Sequence, residues 1–234
     1  MEALAEEGQA AEGLEENGEE IMSEIETKMK EILGEDLVTL AEYYTGDERK
    51  LLAVCKALDF EILRKIKQSK EIPVLFTKEE LMQGVDVFPV EFLNIKSHHK
   101  ILYGEDFLKD INISKKNLRH QLEFEFRSKL IHLRSEYLQY SGRELESLIL
   151  SAVPALAPII GGLLYLKDLT HDDTSDLFDV VSKGYGMDVS ILKEIYEIRS
   201  GKSKFKKDKE QYVKELINVL SGIGNIIDEL EVNE

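Results

Sequence analysis

Apolar positions recur along this chain with two different periods, and the change from one to the other divides it. Ile21, Ile25, Met29 and Ile32-Leu33 fall at helical spacing, and Gly34 closes that helix. Asp36 to Tyr44 (DLVTLAEYY) is rich in strand formers, and Thr45-Gly46-Asp47 reads as a turn. Leu51 to Cys55 is short and fully apolar, as a buried central strand is. Asp59 is placed to cap a helix running to Lys67, with Phe60, Leu63 and Ile66 as its inner face. Ile72 to Phe76 predicts a third strand, and Thr77-Lys78-Glu79-Glu80 predicts a capping box that opens a short helix through Gln83. Across Phe88 to Ile95 the alternation predicts another strand, with Phe88, Val90 and Phe92 on one face and Glu91 on the other.

From Ser114 onward the pattern is helical throughout. Leu118, Leu122, Phe126, Leu130, Leu133 and Tyr137 form one apolar stripe, and Phe124, Ile131 and Leu138 form a second on a different face. A helix with two apolar faces is expected to pack against two neighbours, as in a bundle. Further helices are expected at 143–168, 174–183, Val189–Arg199 and Asp208–Leu230, with Ser200 to Lys204 as a basic surface loop. The fold class expected is α+β: a small mixed sheet with helices against it, then an all-α bundle. The boundaries expected are an acidic segment 1–20, an α/β domain 21–112 and a helical domain 113–234.

Charge and composition narrow the function classes. The 234 residues carry a formal charge of −16, which argues against nucleic acid or an anionic membrane as a bulk partner. Residues 1–20 hold eight Glu and no Lys or Arg, a solvated composition without the basic-then-apolar order of a secretory signal. A cytoplasmic protein is the expectation. Leu148 to Leu166 carries no charge and approaches the length of a membrane span, but Pro154, Pro158 and Gly161-Gly162 favour a kinked helix buried in a bundle. The single cysteine, Cys55, excludes an internal disulfide framework, and its apolar neighbours make it a buried small residue.

Two stretches, Phe88-Pro89-Val90-Glu91-Phe92-Leu93 and Ile101-Leu102-Tyr103-Gly104-Glu105-Asp106, resemble a subgroup of the nucleotidyltransferase superfamily of the polymerase-beta type. The resemblance extends over about Leu37 to Tyr137. It implies a Gly-Ser turn after the first strand to hold a triphosphate, then two carboxylates one residue apart to bind divalent metal, and a third carboxylate on a later strand. This chain reads Glu42-Tyr43-Tyr44-Thr45-Gly46 where Gly-Ser belongs, and Glu48-Arg49-Lys50 where the paired acids belong. Asp47, Glu48 and Glu91 are the vestigial candidates for the acids, with Lys50 standing at the second acid's position.

Lys116, His120, Arg127 and Arg134 recur at helical spacing and are the weak candidates for contacting phosphate, in the cleft where family members hold substrates. His98-His99 reads as a surface connector, because neighbouring strand residues face opposite ways. No P-loop, GxGxxG, HExxH or G-x-S-x-G occurs. The expectation is a degenerate family member without cofactor, acting as a binding or interaction module. The alternatives are an active transferase using Mg²⁺ and a nucleoside triphosphate, and a partner-binding protein resembling those of toxin–antitoxin systems. In either binding role the helical domain would meet a protein partner or a second copy of the chain.

Overall fold

The computed structural model describes residues 22–45, 48–171 and 174–232; the acidic segment 1–20 and Asp47 lie outside them. The order is α1 (22–33), β1 (Leu37–Thr45), β2 (Glu48–Cys55), α2 (Phe60–Ile66), β3 (Val74–Thr77), α3 (Lys78–Gly84), α4 (Pro89–His98) and β4 (His99–Gly104). Five helices follow: α5 (Lys115–Tyr137), α6 (Gly142–Leu166), α7 (Thr174–Tyr185), α8 (Ser190–Arg199) and α9 (Lys209–Glu229). This is the α+β arrangement of a small mixed sheet followed by helices. Two compact units result, one of residues 22–44, 49–83 and 98–110, the other of 45, 48, 84–97 and the residues from 111 onward.

The sheet has the order β3-β2-β1-β4, with β3 parallel to β2 and β4 antiparallel to β1. Only two residues separate β1 from β2, too few for a crossover, so these neighbours form a hairpin. One apolar cluster covers a face of the sheet: Ile25, Met29 and Leu33 of α1, Leu37 and Leu40, then Leu51, Ala53 and Cys55, closed by Ile62 and Ile66 of α2. Cys55 is buried there, and burial foremost, with Asp36 adding to it, pushes its thiol up to about 11. At the end of β4, Gly104 has a φ of +85°, and a Cβ there would sit 2.0 Å from the Val38 carbonyl oxygen, so no other residue fits the register with β1.

Local chemistry accounts for several boundaries. The Ile62 N–H donates to Asp59 Oδ1 at 2.7 Å, capping α2. The Glu80 N–H donates to Thr77 Oγ1 at 3.1 Å and the Thr77 N–H to Glu80 Oε2 at 2.8 Å, a reciprocal capping box on α3. The inner face of α2, however, is Ile62 and Ile66; Phe60 and Leu63 are exposed.

The largest correction concerns Phe88 to Ile95, which is not a strand. Pro89 cannot donate to a ladder but suits the first turn of a helix, and Glu91 stabilises the same turn. Phe88 has no side-chain acceptor, so the cap comes from α5: Gln121 Oε1 accepts from the Val90 N–H at 2.8 Å, and Gln121 Nε2 donates to Glu91 Oε2 at 2.8 Å. The fourth strand starts at His99 instead.

In the helical unit α6 packs against α5, α7, α8 and α9. It runs as one helix through Pro154 and Pro158, and none of its Leu, Ile or Val side chains is exposed. It is the one described helix long and apolar enough to cross a membrane, and 44% of its most apolar window is buried against its neighbours. A Cβ on Gly162 would meet Leu122 Cδ2 at 2.9 Å, which lets α5 approach closely. Among the described residues the second apolar stripe of α5 is left largely uncovered. Phe124, Ile131 and Leu138 are 67%, 64% and 82% exposed.

Candidate functional site

The hairpin of β1 and β2 carries the residues to which the resemblance assigns chemistry. Glu48 is exposed at the start of β2, and alternation puts Lys50 on its face. Arg49 points the other way, with Leu51, Ala53 and Cys55, towards the apolar cluster. Its Nη1 lies 3.8 Å from Glu42 Oε2 and its Nη2 donates to Glu71 Oε2 at 3.2 Å. Glu42 is 6% exposed, and its Oε2 accepts no hydrogen bond. A carboxylate held in a core needs a compensating charge, and Arg49 supplies it, with Lys100 in register with Glu42 on β4. Sequence reasoning missed Glu42. The available signal was a charge inside the run Leu40-Ala41-Glu42-Tyr43.

Glu91, the candidate third acid, stands on α4 rather than on a strand, and Gln121 engages it. Asp47 is outside the described residues. His98 closes α4, whereas His99 opens β4 with a side chain only 8% exposed, so the pair is no surface connector. His99 Nε2 lies 3.0 Å from Asp106 Oδ1, which also accepts from the Lys109 N–H at 3.3 Å. Burial opposes ionisation of Asp106, but these bonds together hold its carboxyl below the usual range. Of the basic stripe, Lys116, His120, Arg127 and Arg134 are all exposed on α5. Arg127 is engaged by both oxygens of Asp228 at 2.7 Å and by Glu123 at 3.2 Å. Asp228 is foremost in raising its pKa.

These elements can be set beside solved structures. Spectinomycin adenyltransferase AAD(9) from Enterococcus faecialis, in a crystal structure with ATP and spectinomycin, matches with a TM-score of 0.52 over 86% of this chain and 98% of that one, at 12% identity. The chain has a nucleotidyltransferase fold. No protein-family model and no curated protein matches the sequence.

Metal-dependent transfer on a nucleotidyltransferase fold needs carboxylates converging on a divalent ion. β2 offers Glu48 and then Lys50, and an ammonium two residues on repels the ion that a carboxylate would bind. Among the described residues no group of three His, Cys, Asp or Glu side chains is arranged to hold a metal.

Proposed function

We propose that this protein uses a nucleotidyltransferase fold as a binding or interaction module, without metal-dependent nucleotidyl transfer. The observation that carries this reading is the hairpin. The reading is supported by β1 continuing through Thr45 and β2 beginning at Glu48, a connection too short to wrap a triphosphate, and by the sequence resemblance, which sets Lys50 at the second metal-binding acid. Glu91, on a helix and bonded to Gln121, adds no third acid on a strand. One structural neighbour is an adenyltransferase solved with ATP, so ATP is the natural probe.

The test is calorimetric titration of the full chain with ATP, GTP, CTP and UTP, each with and without Mg²⁺. Absence of magnesium-dependent binding is the expected result. Magnesium-dependent binding that weakens on Glu48→Ala or Glu91→Ala would overturn the proposal and restore a transferase. Lys50→Asp alone should not create transfer activity, because the Gly-Ser turn is missing as well.

A further inference from the structure

We infer that the connection between α8 and α9 is a docking surface for an extended acidic segment of a partner protein, with carboxylates at alternate positions. This deepens the interaction-module reading, but it rests on residues other than the hairpin. From Lys202 to Lys206 burial alternates: Lys202, Lys204 and Lys206 are exposed, and Ser203 and Phe205 are partly buried. Residues two apart on extended backbone share a side and stand about 6.5 Å apart, so the three ammoniums form a row. Tyr212 holds the row from beneath. Phe205 packs edge-on against its ring with centroids 5.1 Å apart, and the Lys206 N–H donates to its hydroxyl at 3.1 Å.

The charge of this row is not cancelled. The next two lysines are engaged, Lys207 by Glu194 and Glu215 and Lys209 by Glu146. The Glu197 carboxylate acts on the Lys193 ammonium. Asp208 and Glu210 line the cleft beside Tyr137 and Lys214. Lys202, Lys204, Lys206 and the exposed Arg199 make no ion pair among the described residues. In a chain of net charge −16 this is a local inversion of sign. The Lys204 and Phe205 N–H groups also find no backbone acceptor among the described residues, so the main chain can bond an added strand.

Period and charge together select the occupant. A second extended polypeptide has the same two-residue repeat as the row, so carboxylates at its alternate positions meet all three ammoniums in register. Single-stranded nucleic acid needs an aromatic platform for its bases, and Phe205 is already packed on Tyr212. Long polyanions and anionic membranes also meet the repulsion of the whole chain, which a short segment largely escapes. The chain's own residues 1–20 have the right sign but the wrong spacing: no two of their eight glutamates stand two residues apart.

The test uses a fluorescein-labelled peptide of about ten residues alternating Glu and Thr, and an isomer of the same composition with its glutamates in one block. Fluorescence anisotropy with the full chain at low salt should show the alternating peptide binding at least about fivefold more tightly than the isomer, and weakening as salt is added. Lys204→Glu should weaken it about tenfold and Lys202→Gln about threefold, with far-UV circular dichroism unchanged. Lys214→Glu, in the neighbouring cleft, should change it less than about twofold. Equal binding of the isomers, no saturable binding, or equal weakening by Lys204→Glu and Lys214→Glu would overturn the inference. So would oligo-dT, phosphatidylserine vesicles or a peptide of residues 1–20 binding through Lys204 as tightly as the alternating peptide. The nucleotide titration reads the hairpin alone, so failure here leaves that result standing.

Discussion

Along one face of α5, Leu118, Leu122 and Phe126 are wholly buried and Leu133 is 7% exposed; along another, Phe124, Ile131 and Leu138 are at least 64% exposed. Both stripes recur at helical spacing and both are strongly apolar. The difference lies in what faces them. The first meets α6, where Gly162 lets the two helices approach, and the second is left largely exposed by the described residues. Periodicity thus reports the direction in which a side chain points, while burial depends on whether another element arrives there.

The sharpest way to break this comparison is to truncate one residue on each face. Phe126→Ala should lower unfolding free energy by about 3–5 kcal/mol, because it leaves a cavity that the bundle cannot refill. Phe124→Ala, two residues earlier, should stay within about 0.5 kcal/mol. Urea denaturation followed by circular dichroism measures both. Similar losses at the two positions would mean that the outward face is covered in solution.

Next in size is the buried charge in the sheet unit. Arg49→Ala strands the Glu42 carboxylate without its guanidinium and should cost about 2 kcal/mol. Adding Glu42→Gln should recover part of that loss, since a neutral amide is cheaper to leave in the core than a lone carboxylate. A double variant no more stable than Arg49→Ala would show that packing by the arginine stem, rather than charge, is what Glu42 needs.

A smaller contrast is offered by adjacent glycines of α6. Gly161→Ala should stabilise by about 0.5–1 kcal/mol, since its Cβ would find only His171 Nε2, at 4.0 Å. Gly162→Ala should lose that gain against Leu122, leaving a difference of about 1–2 kcal/mol between the two variants. Thermal melts of both would decide it. Equal effects would show that Leu122 yields freely and that close approach does not hold α5 against α6.

How much of this was legible in advance follows from where each interaction comes from. The Asp59 cap and the Thr77–Glu80 box lie within three residues of their partners, so sequence sufficed to place them. The α4 helix was misread because its cap is Gln121, 31 residues beyond Val90, while the alternation of Phe88, Val90 and Phe92 mimics a strand. Pro89 was the local warning. Lys50 could be read directly, since spacing along one strand fixes which residues share a face. Glu42 could not, because its burial depends on Arg49 from the next strand and on α1 packing over both.

The smallest effect expected is on pH dependence, where a cluster of charges ties the α8–α9 connection. Lys207 Nζ lies 3.0 Å from Glu194 Oε2 and 2.8 Å from Glu215 Oε2, and the Tyr212 hydroxyl donates to Glu194 Oε1 at 2.6 Å. Burial pushes the Glu194 carboxyl up, but Tyr212 and Lys207 bring it below its ordinary 4.5; Lys207, then Gln211, lowers Glu215 likewise. Glu215 foremost raises Lys207 above 10.5. Depressed carboxylates stabilise above their unfolded values and lose that contribution as pH falls through the folded ones. A raised ammonium stabilises below its unfolded value and loses that contribution as pH rises through the folded one. The tie, whose Tyr212 hydroxyl is likewise raised from its ordinary 10.0, is therefore complete between 4.5 and 10.0 and fades outside that window. Glu215→Gln should lower Tm by about 1–2 °C at neutral pH and make the decline below pH 4.5 shallower. An acid limb as steep as the wild type's would place the acid sensitivity elsewhere, with Asp106 and its His99 partner in the sheet unit as the next carboxylate to neutralise.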